Sequence, residues 1–190
     1  ILEKGSDNID LASVFVGLGN SYLLLKNLDQ ALEYHQKALE IFSRHYGDFH
    51  PEVAISNLNI GNIMFKQKKD VALDHFKTAL RIRTSFYGQN HPEVGVVLFN
   101  IGSFYGKKEN YHEAIKYFEQ SSLIFKDSLA PNHPKLGDVF LSLGKIYGLV
   151  KDLDSARENL VLAEKIFQSN KDLSRVIEAR TLLAILYKLS

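Results

Sequence analysis

The sequence contains no cysteine, and this absence excludes disulfide bonds, thiol nucleophiles and cysteine-ligated zinc sites. It also contains no apolar run near the ~18 residues that a membrane-spanning helix requires, so membrane insertion is not expected. The formal net charge is only +1, which argues against a general nucleic-acid-binding protein. The lack of cysteine fits a reducing compartment, and we expect a cytoplasmic location.

Internal repetition is the main signal in what the sequence does contain. Four glycines, each followed three positions later by tyrosine or methionine, recur at intervals of 42, 41 and 42 residues: Gly19, Gly61, Gly102 and Gly144. Two series of small residues keep the same register: Ala31, Ala72, Ala114 and Ala156, then Ala38, Ala79, Ser121 and Ala163. Such a period is typical of a repeat array. The predicted repeats cover residues 9–47, 50–88, 91–129 and 133–169, followed by a capping helix over 173–190.

Each repeat contains two amphipathic helix patterns. In the third repeat, apolar residues from Val94 to Tyr105 recur at spacings of three and four, and a second such pattern follows the polar turn at residues 107–110. Small residues such as Gly102 and Ala114 allow two helix axes to approach closely. The sequence therefore predicts an all-α fold, an α-solenoid built from antiparallel helix pairs.

The missing residue of the 41-residue interval can be located within the second repeat. Gly61 precedes Ala72 by 11 residues, whereas the corresponding glycine and alanine of the other three repeats are 12 residues apart. Turns tolerate deletions better than packed helix faces do. We therefore place the missing residue in the turn at residues 67–70.

A histidine-proline motif marks the links between repeats. It occurs as YGDFHPEV at residues 46–53, as YGQNHPEV at 87–94 and, in altered form, as LAPNHPKL at 129–136. We interpret Gly88 as ending one helix, His91 as capping the next and Pro92 as its first residue. Since these histidines are one helix pair, about 10 Å or more, apart, they cannot share a metal ion. No metal site and no cofactor are expected.

The repeated residues resemble those of the tetratricopeptide repeat. The segments carrying the resemblance are LGNSY with DQALEYHQKAL, IGNIM with VALDHFKTAL, IGSFY with EAIKYFEQSS, and LGKIY with SARENLVLA. The 42-residue period and the histidine-proline link are similar to the long-helix subtype of kinesin light chains and nephrocystin-type proteins. The resemblance implies a right-handed superhelix whose first helices line a concave groove, and a scaffold that binds an extended peptide. The tryptophan common in the family is replaced by Phe15, Asn57, Leu98 and Phe140.

The expected groove residues lie on one face of each first helix. An asparagine amide has both a donor and an acceptor, so it can hold a peptide backbone of any sequence. The resemblance implies this role for Asn59 and Asn100, although solvated asparagines would look the same in sequence. Lysines on the same face favour an acidic ligand. The candidate peptide-binding residues are Asn20, Asn59, Asn62, Lys66, Asn100, Ser103, Lys107, Ser142 and Lys145.

Enzymatic activity is not expected. The sequence has no HExxH or GxSxG motif and no recognisable pair of catalytic carboxylates. His35 takes the place that Phe76, Phe118 and Leu160 take in the other repeats, so we interpret it as a packing residue.

Both ends of the chain suggest further contacts. The chain lacks an initial methionine, and Gly5 precedes Gly19 as Gly47 precedes Gly61, so we expect a fragment that begins inside a link. The C-terminal helix is apolar enough to meet further repeats or a second copy of the chain. Besides a scaffold for a protein or peptide partner, the alternatives are a self-associating or intramolecular regulatory module, and a bacterial peptide-sensing or phosphatase-regulating array.

Overall fold

A computed structural model describes residues 9–189, and this part of the chain consists of helices joined by short turns. Residues 1–8, with the predicted link around Gly5, and Ser190 lie outside the described residues. The all-α fold and the solenoid arrangement of helix pairs are confirmed. The described helices are α1 (Ile9–Leu24), α2 (Leu28–Tyr46), α3 (Pro51–Lys66), α4 (Ala72–Tyr87), α5 (Pro92–Lys107), α6 (Tyr111–Ser128), α7 (Pro134–Leu149), α8 (Leu153–Ser169) and α9 (Leu173–Leu189).

The helices form two compact units that divide after Gln89. In the first unit, α1 packs on α2, α2 on α3, and α3 on α4. In the second unit, each helix from α5 to α9 packs on the next, and α7 also contacts α5 and α9. The core of each unit therefore lies between successive helices.

Each of the four pairs beginning with α1, α3, α5 and α7 has a point of very close approach at its repeated glycine. A Cβ atom at Gly61 would lie 2.7 Å from the Phe76 ring, which is less than any normal carbon contact. Glycine is therefore required at this point, because the larger side chain of the second helix occupies the space. The same relation joins Gly19 to His35, Gly102 to Phe118, and Gly144 to Leu160.

His35 is the one polar residue in this series of large side chains. Its side chain is fully buried, and neither ring nitrogen has a hydrogen-bond partner among residues 9–189. Burial lowers the pKa of His35, so its neutral form is the one that packs against Gly19. The prediction that His35 is a packing residue is confirmed, at the cost of two unsatisfied nitrogen atoms.

The histidine-proline links have the predicted cap geometry. Gly47 and Gly88 end their helices at φ angles of 78° and 87°, where glycine is favoured. The helices α3, α5 and α7 each begin with proline, whose missing N–H costs nothing there. The Nδ1 atoms of His50, His91 and His133 accept a hydrogen bond from the backbone N–H two residues on, at 3.2–3.3 Å. Their interpretation as helix caps is confirmed.

The α3–α4 turn is one residue shorter than the corresponding turns, and α4 lacks the side-chain cap that the other second helices have. The helices α2, α6 and α8 begin after Asn27, Asn110 and Asp152, whose side-chain oxygens accept a hydrogen bond from the backbone N–H three residues on. By contrast, α4 begins after Val71, which makes no side-chain cap bond. The backbone N–H of Ala72 instead bonds to the carbonyl three residues earlier, so a tighter turn replaces the first turn of the helix.

We predict that His35→Phe raises the free energy of unfolding by about 1–3 kcal/mol, because phenylalanine leaves no buried nitrogen unsatisfied. The difference in the free energy of unfolding between the variant and the wild type should grow as the pH falls below about 6.5. Burial lowers the pKa of His35 in the folded state, so the unfolded chain binds the proton more readily and acid destabilises the wild type. Chemical denaturation at pH 7.5 and 5.5 measures both effects. The reciprocal variant Phe76→His should be destabilised, and a destabilised His35→Phe variant would contradict this account.

We further predict that His91→Ala and His133→Ala each lower the free energy of unfolding by about 0.5–1 kcal/mol, through loss of a cap bond. Asparagine is a good N-cap residue, so His91→Asn should retain most of the stability. Denaturant titrations compare these variants with His112→Ala, which changes an exposed histidine that does not cap a helix. Bound zinc or nickel that disappears on mutation would show that the histidines do more than cap helices.

Candidate peptide-binding surface

The predicted residues of the first unit lie outside the core. Asn20 and Lys66 are exposed on α1 and α3, and Asn59 and Asn62 are half-buried on α3. The three amides make no hydrogen bond to other described residues, and Lys66 has no ion pair there. Their donors and acceptors are therefore free to meet a ligand.

The second unit presents the same kind of surface on α5. Asn100 is half-buried, Lys107 is exposed, and neither side chain has a partner within the described part of the chain. Ser103 is different, because its hydroxyl donates to the carbonyl of Phe99 at 2.9 Å. The hydroxyl of Ser142 on α7 likewise donates within its own helix, at 2.8 Å. The two serines can still accept a hydrogen bond from a ligand, but their hydroxyl hydrogens are already donated to backbone carbonyls.

Lys145 does not provide the free positive charge that its sequence position suggested. Its ammonium lies 2.6 Å from a carboxylate oxygen of Glu178 on α9, and the charges offset each other. A second ion pair, Asp138 with Arg175 at 2.7 Å, also joins α7 to α9. Burial raises the pKa of Asp138, although the Arg175 guanidinium opposes this shift. The expectation of free positive charge therefore applies to Lys66 and Lys107 only.

A small cavity lies on the same side of α5 as Asn100. Its volume is about 180 Å³, and its apolar walls include Val96, Phe99 and Phe125. Lys135 and Asp138 complete the lining. Val96 is four residues before Asn100 and so lies one helical turn away on the same face. A ligand backbone held by Asn100 could therefore place one apolar side chain in this cavity.

The buried Asn57 and the half-buried His75 form a polar pair that sequence reasoning missed. The Asn57 side-chain amide donates to the carbonyl of Val53 at 2.9 Å, and its oxygen lies 2.9 Å from Nδ1 of His75. An amide oxygen can only accept, so His75 carries its proton on Nδ1. Burial lowers the pKa of His75, which keeps the ring neutral. The pair is structural and lies inside the α3–α4 hairpin, where the family often has tryptophan.

Residues 9–189 provide neither a metal-binding cluster nor a membrane-spanning helix. Among these residues, no three histidine, aspartate or glutamate side chains come close enough to hold a metal ion together. None of the described helices combines the length and the apolar character needed to span a membrane.

Several solved structures resemble this one closely. RapI in its apo form has a TM-score of 0.86 at 19% identity, over 98% of this chain and 66% of that one. Aspartyl phosphate phosphatase F from Bacillus subtilis has a TM-score of 0.85 at 21% identity, over 94% of this chain and 45% of that one. The kinesin-light-chain TPR-like repeats of Podosopora anserina have a TM-score of 0.79 at 16% identity, over 95% and 87% of the two chains. Because the sequence identities are low, these structural similarities establish the fold alone.

The family assignment comes from the sequence matches. No curated protein matches the chain significantly. The model of the tetratricopeptide repeat matches residues 10–85, 56–120 and 93–169, which together include all four helix pairs. The chain belongs to the tetratricopeptide repeat family, whose arrays serve as protein-interaction scaffolds.

Proposed function

We propose that this chain is a non-catalytic scaffold that binds an extended segment of a partner protein in a groove lined by the first helices of its repeats. The observation that carries the proposal is the pair Asn59 and Asn100. They occupy equivalent positions in the second and third repeats, and both amides lack a partner among the described residues. Asparagine is a mediocre helix former, so its recurrence in mid-helix favours a functional reason.

The chemistry of the amide suits an extended peptide. Each amide can accept from a backbone N–H and donate to a backbone carbonyl of the same ligand, without regard to the ligand's side chains. Asn20 and Asn62 extend the same surface by one helical turn on α1 and α3. Sequence preference would then come from contacts such as the cavity lined by Val96 and Phe99.

Charge favours an acidic partner segment. Lys66 and Lys107 end α3 and α5, and neither has an ion pair within the described residues. Exposed charges of this kind act mainly on the association rate, and salt screens them. Lys145 is expected to contribute less, because Glu178 already neutralises it.

We predict that Asn59→Ala and Asn100→Ala each weaken peptide binding by about 0.5–1.5 kcal/mol, the usual net value of a hydrogen bond. A peptide selected on the wild-type chain from a random library, labelled and titrated by fluorescence anisotropy, serves as the probe. Asn90→Ala is the matched control, since Asn90 is an exposed asparagine in a link. Lys66→Ala and Lys107→Ala should slow association, and less so at high salt. Equal affinities for the wild type and both asparagine variants would place the peptide on another surface.

A second function, self-association, is favoured by the exposed side of α9. One side of this helix is buried in the unit through Val176, Ala179, Leu183 and Leu186. On the other side, Leu173 and Ile177 are 74% and 64% exposed. Gly137, which corresponds to Ile177 in the preceding first helix, is covered by Phe167 of α8. In this alternative, we propose that a second copy of the chain packs on the exposed side of α9.

The self-association proposal predicts that light scattering gives a mass above 21.5 kDa that rises with protein concentration. Ile177→Glu should restore the monomer mass, because it places a charge in the proposed contact. Leu123→Glu is the control, since Leu123 is 62% exposed on α6, away from α9. A wild-type chain that remains monomeric at every concentration would eliminate this function and leave the peptide scaffold.

A further inference from the structure

A second and larger cavity lies within the second unit, apart from the asparagine surface. It has a volume of about 680 Å³ and lies where α6 ends, α7 begins and α8 ends. The link between α6 and α7 forms part of its rim, and the side-chain amide of Asn170 donates to the carbonyl of Asn132 at 2.6 Å, tying that link to the end of α8. Small-molecule sites in proteins commonly have ~300–1,000 Å³.

The floor of this cavity is apolar and well packed. Leu136 and Phe140 from α7 and Ile166 from α8 line it, and each is less than a tenth exposed. Leu162 forms a wall and remains 36% exposed. An apolar ligand group here would cover hydrocarbon surface that the fold leaves in contact with water.

Two lysines line the cavity, Lys126 from α6 and Lys165 from α8. Lys126 and Lys165 are exposed, and neither has a carboxylate partner among the described residues. The ammonium of Lys126 lies 5.2 Å from the centre of the Phe140 ring, so it leans over the apolar floor. Two other lysines on second helices are paired within their own helix, Lys37 with Glu33 and Lys116 with Glu113. The cavity therefore combines an apolar floor with uncompensated positive charge.

Within the described repeats, this pair of lysines occurs only at the junction of the third and fourth repeats. Lys126 corresponds to Ser43 and Thr84 in the first two repeats, and Lys165 corresponds to Leu123 in the third. The link beside the cavity is the altered LAPNHPKL, in which Pro131 and Asn132 contribute to the lining. The feature is therefore not a general consequence of the repeat architecture.

We propose that this cavity binds a small amphipathic carboxylate, an acyl or aryl group that ends in a single acid. The apolar part would lie on Leu136, Phe140 and Ile166, and the carboxylate would meet the ammonium groups of Lys126 and Lys165. A neutral amphiphile would leave the lysines without a partner, and a cationic one would be repelled. This site is independent of the peptide surface, because the two share no residue.

The test is a titration of the whole, isotope-labelled chain with decanoate, monitored by the chemical shifts of the backbone amides. The decanoate concentration stays below the value at which micelles form. We predict saturable shifts around the cavity, with decyltrimethylammonium binding at least about tenfold more weakly and acetate producing no such shifts. The double variant Lys126→Ala/Lys165→Ala should weaken decanoate binding by about tenfold or more, because both charge-assisted contacts are lost. Leu162→Gln, at a partly exposed position, should weaken it by reducing the apolar contact.

The control is Lys69→Ala/Lys77→Ala, which removes the same charge from exposed positions in the first unit and should leave the affinity for decanoate unchanged. Binding should also persist in the Asn59→Ala and Asn100→Ala variants, which separates this site from the proposed peptide surface. Decanoate shifts that do not saturate, equal binding of the cationic amphiphile, or full affinity in the Lys126→Ala/Lys165→Ala variant would overturn the proposal.

Discussion

The close approach of two helices within a repeat is the constraint on which the rest of this structure depends. At Gly61 there is room for a hydrogen atom but not for a methyl group, because the Phe76 ring occupies that space. A contact of this kind sets how far one helix can slide along the other. The inner face of every pair is therefore restricted to small and large residues in alternation, while the outer face of the first helix can vary. Interaction residues can change there without disturbing the core.

Two histidines of the first unit, the buried His35 and the half-buried His75, show what that constraint does to polar residues. His75 can use Nδ1 because Asn57 lies opposite it, and the resulting pair replaces apolar packing in the α3–α4 hairpin. His35 is held against Gly19, where the described part of the chain offers its ring no acceptor or donor. The same residue type thus has an unsatisfied site in the first repeat and a satisfied one in the second. Position in the repeat, rather than chemical character, determines the outcome.

Most of the fold could be predicted from local pattern and period. The packing role of His35 and the capping role of His91 follow from comparing one repeat with the next, since equivalent positions have equivalent surroundings. The properties of the candidate surface were harder to predict from the sequence, because they depend on contacts between helices that are distant in sequence. Nothing near Lys145 in the chain indicates that Glu178 will neutralise it. The cavity beside Lys126 was missed for the same reason, since three helices and a link combine to form it.

The shortened turn between α3 and α4 has a consequence for how such arrays change in length. Losing one residue there leaves the contact between Gly61 and Phe76 in place, and what disappears is a single cap bond before Ala72. A lost cap costs about 1 kcal/mol, far less than a disrupted core. Insertions and deletions can therefore accumulate in these turns as nearly neutral changes. Repeats of 41 and 42 residues can then coexist in one array, and strict periodicity of length is not a condition for stacking.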